Sequence, residues 1–288
     1  MIYAKIIQMI IRFWGTRGSV PVCSPSVLKY GGDTTCVELR SKNNDLIVID
    51  AGTGIRDLAV SLKNEKCPES FTMMFTHSHT DHIWGFPFFF PVYRKGQKIN
   101  ISCCNAPCGS GKEIVSGTMR PPIFPVKFEN AAADFSFSTI PPEGTEIYGI
   151  KVTPVAISHP DGGSGFRFEE NGRIFVFLTD NELKYNHKGS IGFEGYAEFC
   201  RNADLLVHDA QYNDEEYKMF RTWGHSTYSQ VLELAEAAEV RHVCFFHHSP
   251  DRTDAEIDTI ADSCNALLRT SGKRLSCSAV YKKQEIRL

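Results

Sequence analysis

The sequence predicts an α/β fold whose chemistry is gathered at the ends of strands. Short apolar runs recur along the chain, and several of them finish on a histidine or an aspartate: Phe71–Phe75 before His77, Glu146–Ile157 before His159, Arg173–Leu178 before Asp180, Leu205–Val207 before His208 and Asp209, and Val243–Phe246 before His247 and His248. Segments with apolar residues at helical spacing separate and follow them, at Ile55–Leu62, Tyr228–Ala238 and Asp254–Leu268. Chance would place one or two ligand-type residues at strand ends. It would not place one at each of these.

Taken in order, Ile10–Trp14 reads as a strand, followed by a glycine-bounded turn that carries Arg17. Arg17 is expected either in solvent or on a substrate phosphate. Tyr30–Leu39 is a turn entering a strand, Asp45–Asp50 is the next strand, and Asp50 is expected either to support a ligand histidine or to cap the following helix. The run Ile83–Phe90 is expected to be helical, and Ile99–Cys103 to be a strand. The stretch 105–144 carries Pro121, Pro122, Pro125, Pro141 and Pro142 and one helix-like segment near Lys112–Gly117, and reads as an irregular surface excursion that walls the pocket or meets a second copy in a homodimer. Beyond it come the strands Glu146–Ile157, Ser164–Glu169 and Arg173–Leu178, with an Asn171–Gly172 turn between the last two. Helices at Tyr228–Ala238 and Asp254–Leu268 precede a closing strand, Ser276–Tyr281. We read residues 1–288 as a single domain.

Composition narrows the function. A chain of 288 residues with 42% hydrophobic and 23% charged residues can bury a sizeable core. A formal net charge of −3 gives no general attraction to nucleic acid or to an anionic membrane. Its apolar runs, about ten residues at most, are too short to span a bilayer. Met1–Ile11 carries Lys5 and Gln8 within its apolar stretch and lacks a small-residue cleavage site, so a first strand, or a few residues upstream of a start at Met9, is expected, and with it a cytoplasmic protein. The ten cysteines are irregularly spaced, which argues against a disulfide framework. Cys36, Cys200, Cys244 and Cys264 read as buried thiols, while Cys103, Cys104 and Cys108 form a cluster that could hold a structural zinc only with a fourth ligand.

The densest chemistry is Phe75-Thr76-His77-Ser78-His79-Thr80-Asp81-His82. His77 and His79, two apart on extended chain, point to one side and can grip one cation, while Asp81 and His82 lie past the turn and can face a second. This His-x-His-x-Asp-His pattern resembles the signature of the metallo-β-lactamase superfamily, and the likeness runs from Phe13 to about Asp254. The resemblance implies a four-layer αββα sandwich with two divalent metal ions at one edge, zinc being the expected metal and manganese or iron the alternatives. It implies His77, His79 and His159 on the first ion, Asp81, His82 and a histidine of the His247-His248 pair on the second, and Asp180 bridging both. The family's His-x-Ser pattern places His247 in that role. Such a donor set holds two ions about 3.5–4 Å apart, which suits attack on an anionic phosphodiester.

A narrower resemblance concerns the leaving group. Asp209 in His208-Asp209-Ala210-Gln211 and His225 in Gly224-His225-Ser226-Thr227 are similar to two motifs of the RNase Z-like phosphodiesterase branch, where an acidic residue orients a histidine that protonates the leaving oxygen. Here aspartate stands where that branch has glutamate, which shortens the reach by one methylene. The residue-level alternative for His225 is a position at a helix N-terminus capped by Ser226 or Thr227, and for His208 a buried hydrogen-bonded side chain. Asp81, Asp209 and His225 are thus the expected catalytic residues, with Arg17 and His248 as substrate contacts. Enzymes of that branch that process tRNA carry a long arm between the counterparts of His159 and Asp180. This chain fills that interval with strand, turn and strand, so the expected substrate is a small-molecule phosphodiester such as a cyclic nucleotide. The rival readings are an RNA endonuclease, a thioester, lactone or lactam hydrolase on the same metals, and a ligand-sensing module.

Overall fold

The computed structural model describes residues 8–65, 67–104, 109–270 and 274–288. The reading of the first seven residues, and any role of Cys108, lie outside them.

Two seven-stranded sheets form the centre. The first runs β14 (Glu285–Arg287), β1 (Ile10–Gly15), β2 (Cys36–Arg40), β3 (Leu46–Ile49), β4 (Ser70–Met74), β5 (Lys98–Cys104) and β6 (Asp134–Ile140). The second runs β13 (Ser276–Ala279), β12 (His242–Phe246), β11 (Leu205–Asp209), β10 (Arg173–Leu178), β9 (Ser164–Glu170), β8 (Ile150–Ala156) and β7 (Thr145–Ile147). Strands β3 to β6 are mutually parallel, as are β10 to β13. The period-two alternation along each strand explains the layering. In β10, Phe175 and Phe177 enter the apolar layer between the sheets, while Val176 and Leu178 face the helices outside. In β3, Ile47 and Ile49 face inward while Leu46 and Val48 meet the opposite helical layer.

Three apolar cores result. The first lies under α1 (Ile55–Glu65) and α3 (Gly111–Thr118), the second between the sheets, and the third under α4 (Gly192–Cys200), α6 (Tyr228–Ala237) and α7 (Asp254–Thr270). This is the metallo-β-lactamase sandwich of helix, sheet, sheet and helix. Cys36, Cys200, Cys244 and Cys264 are buried in these layers.

Several expectations are corrected. The stretch 105–144 is not wholly irregular, since Asp134–Ile140 extends the first sheet by pairing along the whole of β5. Glu146–Ile157 is two strands, because Tyr148 and Gly149 both adopt positive φ (54° and 77°) and close a two-residue hairpin. The run Ile83–Phe90 is not a helix. After α2 (Thr80–Ile83), Pro87 and Pro91 restart the chain as two short 3-10 turns, since proline cannot donate to a continuing helix. The chain does not close on β13, because β14 pairs antiparallel with β1.

Candidate metal centre

The C-terminal ends of β3, β4, β10, β11 and β12 converge at one edge of the sandwich, and the turn after β8 reaches the same place. They bring together Asp50, His77, His79, Asp81, His82, His159, Asp180, Asp209 and His247. His225 joins them from the segment before α6. Asp50, Asp180 and His247 each sit in the left-handed region (φ 60°, 56° and 55°), a costly conformation for residues with a Cβ that turns each side chain off its strand end into the cluster.

Two donor groups result. The ligand atoms of His77, His79 and His159 lie within 4.8 Å of one another, and so do those of Asp81, His82, Asp180 and His247. A third group, His159, Asp180 and His225, joins them. Each of the first two draws on both sheets. Among the described residues, such groups contain only histidine and aspartate.

Hydrogen bonding on the far side of the rings settles their tautomers. His159 donates its Nδ1–H to the Gly224 carbonyl at 3.0 Å. His82 Nδ1 meets Asp50 Oδ2 at 2.8 Å, and His247 Nδ1 meets Gln211 Oε1 at 2.9 Å. Thr76 Oγ1 donates to Asp50 Oδ2 and so accepts from His77 Nδ1 at 3.1 Å. In all four rings Nδ1 is engaged on the far side and Nε2 is turned inward. His79 turns Nδ1 inward instead, 3.0 Å from His159 Nε2. The Nε2 atoms of His77 and His82 are buried without any hydrogen-bond partner. Buried nitrogens left unpaired in this way are costly unless a cation takes the lone pair, and ligand rings anchored through the opposite N–H are the usual support of a metal site. Asp50 thus supports His82 and Thr76; it does not cap α1.

Electrostatics point the same way. Burial alone would raise the carboxyl groups of Asp81 and Asp180, yet the neighbouring imidazoles of His82 and His247 hold both well below the usual range. Burial pushes His77 far down and His159 down to about 4, so neither carries a compensating proton near neutral pH. His82 is instead raised well above its ordinary range, because the carboxylates of Asp81, Asp180 and Asp50 outweigh its burial, and a cation bound among these groups would take the place of that proton. The donor set and its unpaired atoms fit a binuclear site.

Beside the donors, His225 is buried and stacks on His247, with ring centroids 4.9 Å apart and planes inclined by 25°. Its Nδ1 lies 3.6 Å from Asp209 Oδ2 and 3.8 Å from Asp180 Oδ1. Burial opposes protonation of this ring, but Asp209 and Asp180 outweigh it and raise its pKa above the ordinary value. Asp209 is itself fixed by Asn181 N–H at 2.9 Å and Ser226 N–H at 2.9 Å. Thr227 caps α6, so His225 does stand just before a helix N-terminus, as well as beside the donors. His208 is fully buried, its Nδ1 donating to the Asp209 carbonyl and its Nε2 beside Asn181, so it is the hydrogen-bonded side chain of the two readings.

Two expected substrate contacts are corrected. Arg17 is completely buried, and its guanidinium donates to the carbonyls of Gly31, Ser249 and Arg252, so it ties three loops together and offers nothing to a ligand. His248 is also buried, donates Nε2–H to the Val280 carbonyl at 2.8 Å and packs edge-on against Tyr30. Burial and the adjacent Arg17 charge push it down to about 3, and its ring points away from the donors. Of the His247-His248 pair, only His247 reaches them.

Sequence reasoning missed Gln211, the Ser19 backbone N–H that donates to Asp81 Oδ2 at 2.8 Å, and the Gly224 carbonyl. The glycines were the available signal. A Cβ at Gly224 would fall 1.9 Å from His159 Nδ1, and one at Gly18 would fall 2.3 Å from His247 Nδ1, so backbone must pass against both rings.

The sequence profile described as a beta-lactamase superfamily domain matches residues 46–248. The chain belongs to the metallo-β-lactamase superfamily. It is 21% identical over 302 residues to ribonuclease Z of Oceanobacillus iheyensis, covering 88% of this chain and 94% of that one. Among solved structures it is similar to the metallo-β-lactamase fold protein YhfI from Bacillus subtilis (TM-score 0.72, 13% identity, 98% of this chain and 100% of that chain). It is also similar to yeast PDE1 (TM-score 0.68, 14% identity, 98% and 100%). It is a metal-dependent hydrolase with a His/Asp metal-binding cluster. Among the described residues, no helix is long and apolar enough to cross a membrane.

Proposed function

We propose that this hydrolase is a two-metal phosphodiesterase acting on a small phosphodiester such as a cyclic nucleotide. In this reading His77, His79 and His159 would hold one ion, Asp81, His82 and His247 the other, and Asp180 would serve both, with zinc as the metal. Bound there, the pair would supply charge neutralisation for the phosphoryl oxygens and a nucleophile acidified toward neutral pH. The chain's own residues do the rest. Asp50, Gln211, Thr76 and the Gly224 carbonyl fix the ring tautomers. Asp209 keeps His225 oriented and favours its protonated form, so that His225 can give a proton to the departing alkoxide.

The observation that carries this reading is His225, buried between the two donor groups with Asp209 behind it. An alkoxide leaving group needs a proton, whereas a thiolate departs without one, so a thioesterase has no use for this pair. A small substrate is favoured by the interval between His159 and Asp180, where β9 and β10 are joined by the two residues Asn171 and Gly172 and no arm projects. The RNA endonuclease reading is supported by the likeness to ribonuclease Z over 88% of the chain.

The test is metal-replete protein assayed on bis(p-nitrophenyl) phosphate, a panel of cyclic nucleotides, a precursor tRNA and a thioester. Chelator-sensitive turnover of the diesters, lost in Asp180→Ala, is expected. Cleavage of the thioester alone would sink the phosphodiester assignment, and cleavage of the precursor tRNA alone would move it to the endonuclease.

A further inference from the structure

Glu182 lies two residues beyond Asp180 and is completely buried, yet it touches none of the metal-centre donors. Its two oxygens each accept two hydrogen bonds. Oε1 takes Tyr217 Oη at 2.7 Å and the Thr222 backbone N–H at 2.8 Å. Oε2 takes the Gly224 backbone N–H at 2.9 Å and His187 Nε2 at 2.9 Å. A carboxylate withdrawn from water is tolerated when its lone pairs are filled in this way.

What Glu182 grips is the rim turn Arg221–Gly224, and that turn is strained. Thr222 has φ 80°, an outlier for a β-branched residue, and Gly224 has φ 92°. Backbone of this kind persists only where its surroundings over-determine it. The turn carries two elements of the centre. The Gly224 carbonyl receives the His159 Nδ1–H, and His225 is the next residue. Gly224 therefore stands between a buried carboxylate on its N–H and, through its carbonyl, the ring of His159.

We propose that Glu182 is a positioning residue for the metal centre: by holding the Arg221–Gly224 turn it fixes the carbonyl that orients His159 and the backbone that delivers His225. The proposal rests on the assignment of His159 as a ligand and His225 as the proton donor. Glu182→Gln tests it, because the amide must turn an NH2 toward two groups that are themselves donors. Three quantities are read: zinc stoichiometry and affinity by competition with a chelator, kcat and KM on the diester, and the NMR resonance of the His159 Nδ1 proton. We expect zinc to be held about 10–100-fold more weakly at one of the two sites, as for other outer supports of a ligand histidine. The Nδ1 proton signal is expected to broaden or shift, and kcat to fall with KM unchanged. Tyr217→Phe, which removes one donor from Oε1 and leaves Gly224 held, is expected to keep wild-type zinc affinity. Folded Glu182→Gln protein that binds both zinc ions as tightly as wild type, with the proton signal unmoved, overturns the proposal. Should Glu182→Gln not fold, Glu182→Asp is read by the same criteria, since it keeps the charge but withdraws it from the turn. Wild-type protein that binds zinc but cleaves no diester would count against the proposed function alone, because the metal and NMR readouts do not depend on substrate.

Discussion

The Nδ1 of His82 and Oδ2 of Asp50 lie 2.8 Å apart, with both side chains sealed from solvent. Asp50 also accepts the Thr76 backbone N–H and hydroxyl, each at 2.7 Å, so one carboxylate sets the ring of His82 and the entry to the His77–His82 segment. Replacing it with asparagine keeps one acceptor and removes the charge. Asp50→Asn is expected to weaken binding of an ion at the Asp81–His82 group by about 10–100-fold. Titration with a chelator measures this, and an unchanged affinity would remove Asp50 from the account of the centre.

His225 and Asp209 are expected to matter in proportion to the difficulty of the leaving group. Loss of a positioned acid costs roughly 10²–10⁴ in rate. His225→Ala should approach that loss on a cyclic nucleotide, whose leaving alkoxide is strongly basic, and lose far less on a p-nitrophenyl diester. Asp209→Asn should follow the same order with a smaller effect, while metal content stays constant. Equal losses on both substrates would show that His225 does not handle the leaving-group proton.

Arg17→Ala should act on stability and leave the Michaelis constant alone. The change strips the carbonyls of Gly31, Ser249 and Arg252 of their donor, at about 1–3 kcal/mol for a buried group such as Gly31 left unsatisfied. Denaturant unfolding measures the loss. A raised KM with unaltered stability would restore Arg17 to the substrate.

Two glycines make a matched pair. Gly18→Ala would drive a Cβ to 2.3 Å from His247 Nδ1 and displace that ring, so metal affinity and activity should both fall. Gly117 lies inside α3 with no atom within 4 Å of its Cβ position, so Gly117→Ala should stabilise the protein by about 0.5–1 kcal/mol through helix propensity, with activity unchanged. Thermal unfolding alongside turnover separates the two cases.

The centre was more legible than the scaffold because its donors sit next to the apolar strands that announce them. His77, Asp180 and His247 each follow a run that only a buried strand satisfies, so local pattern and site coincide. Arg17 and His248 misled for the opposite reason. Each stands in a polar loop that looks solvated, and its burial is decided by carbonyls such as Ser249 and Val280 that arrive from far along the chain. Helix α4 escaped notice because Gly192-Phe193-Glu194-Gly195 has poor helix propensity, and its helicity comes from packing Tyr196, Ala197 and Cys200 against the second sheet. Glu182 was hidden because a glutamate in a loop is ordinarily exposed, and its four donors come from three separate segments.

The two donor groups each take residues from both sheets: His77, His79, Asp81 and His82 from beyond β4, and His159, Asp180 and His247 from beyond β8, β10 and β12. On the proposed assignment, every ion is a clasp across the open edge of the sandwich. Its binding energy is then spent on the closed form alone, contributing about 2.7 kcal/mol once free metal reaches a hundredfold excess over Kd. On that assignment, metal supply would add to the margin by which the folded state is favoured as well as set its turnover.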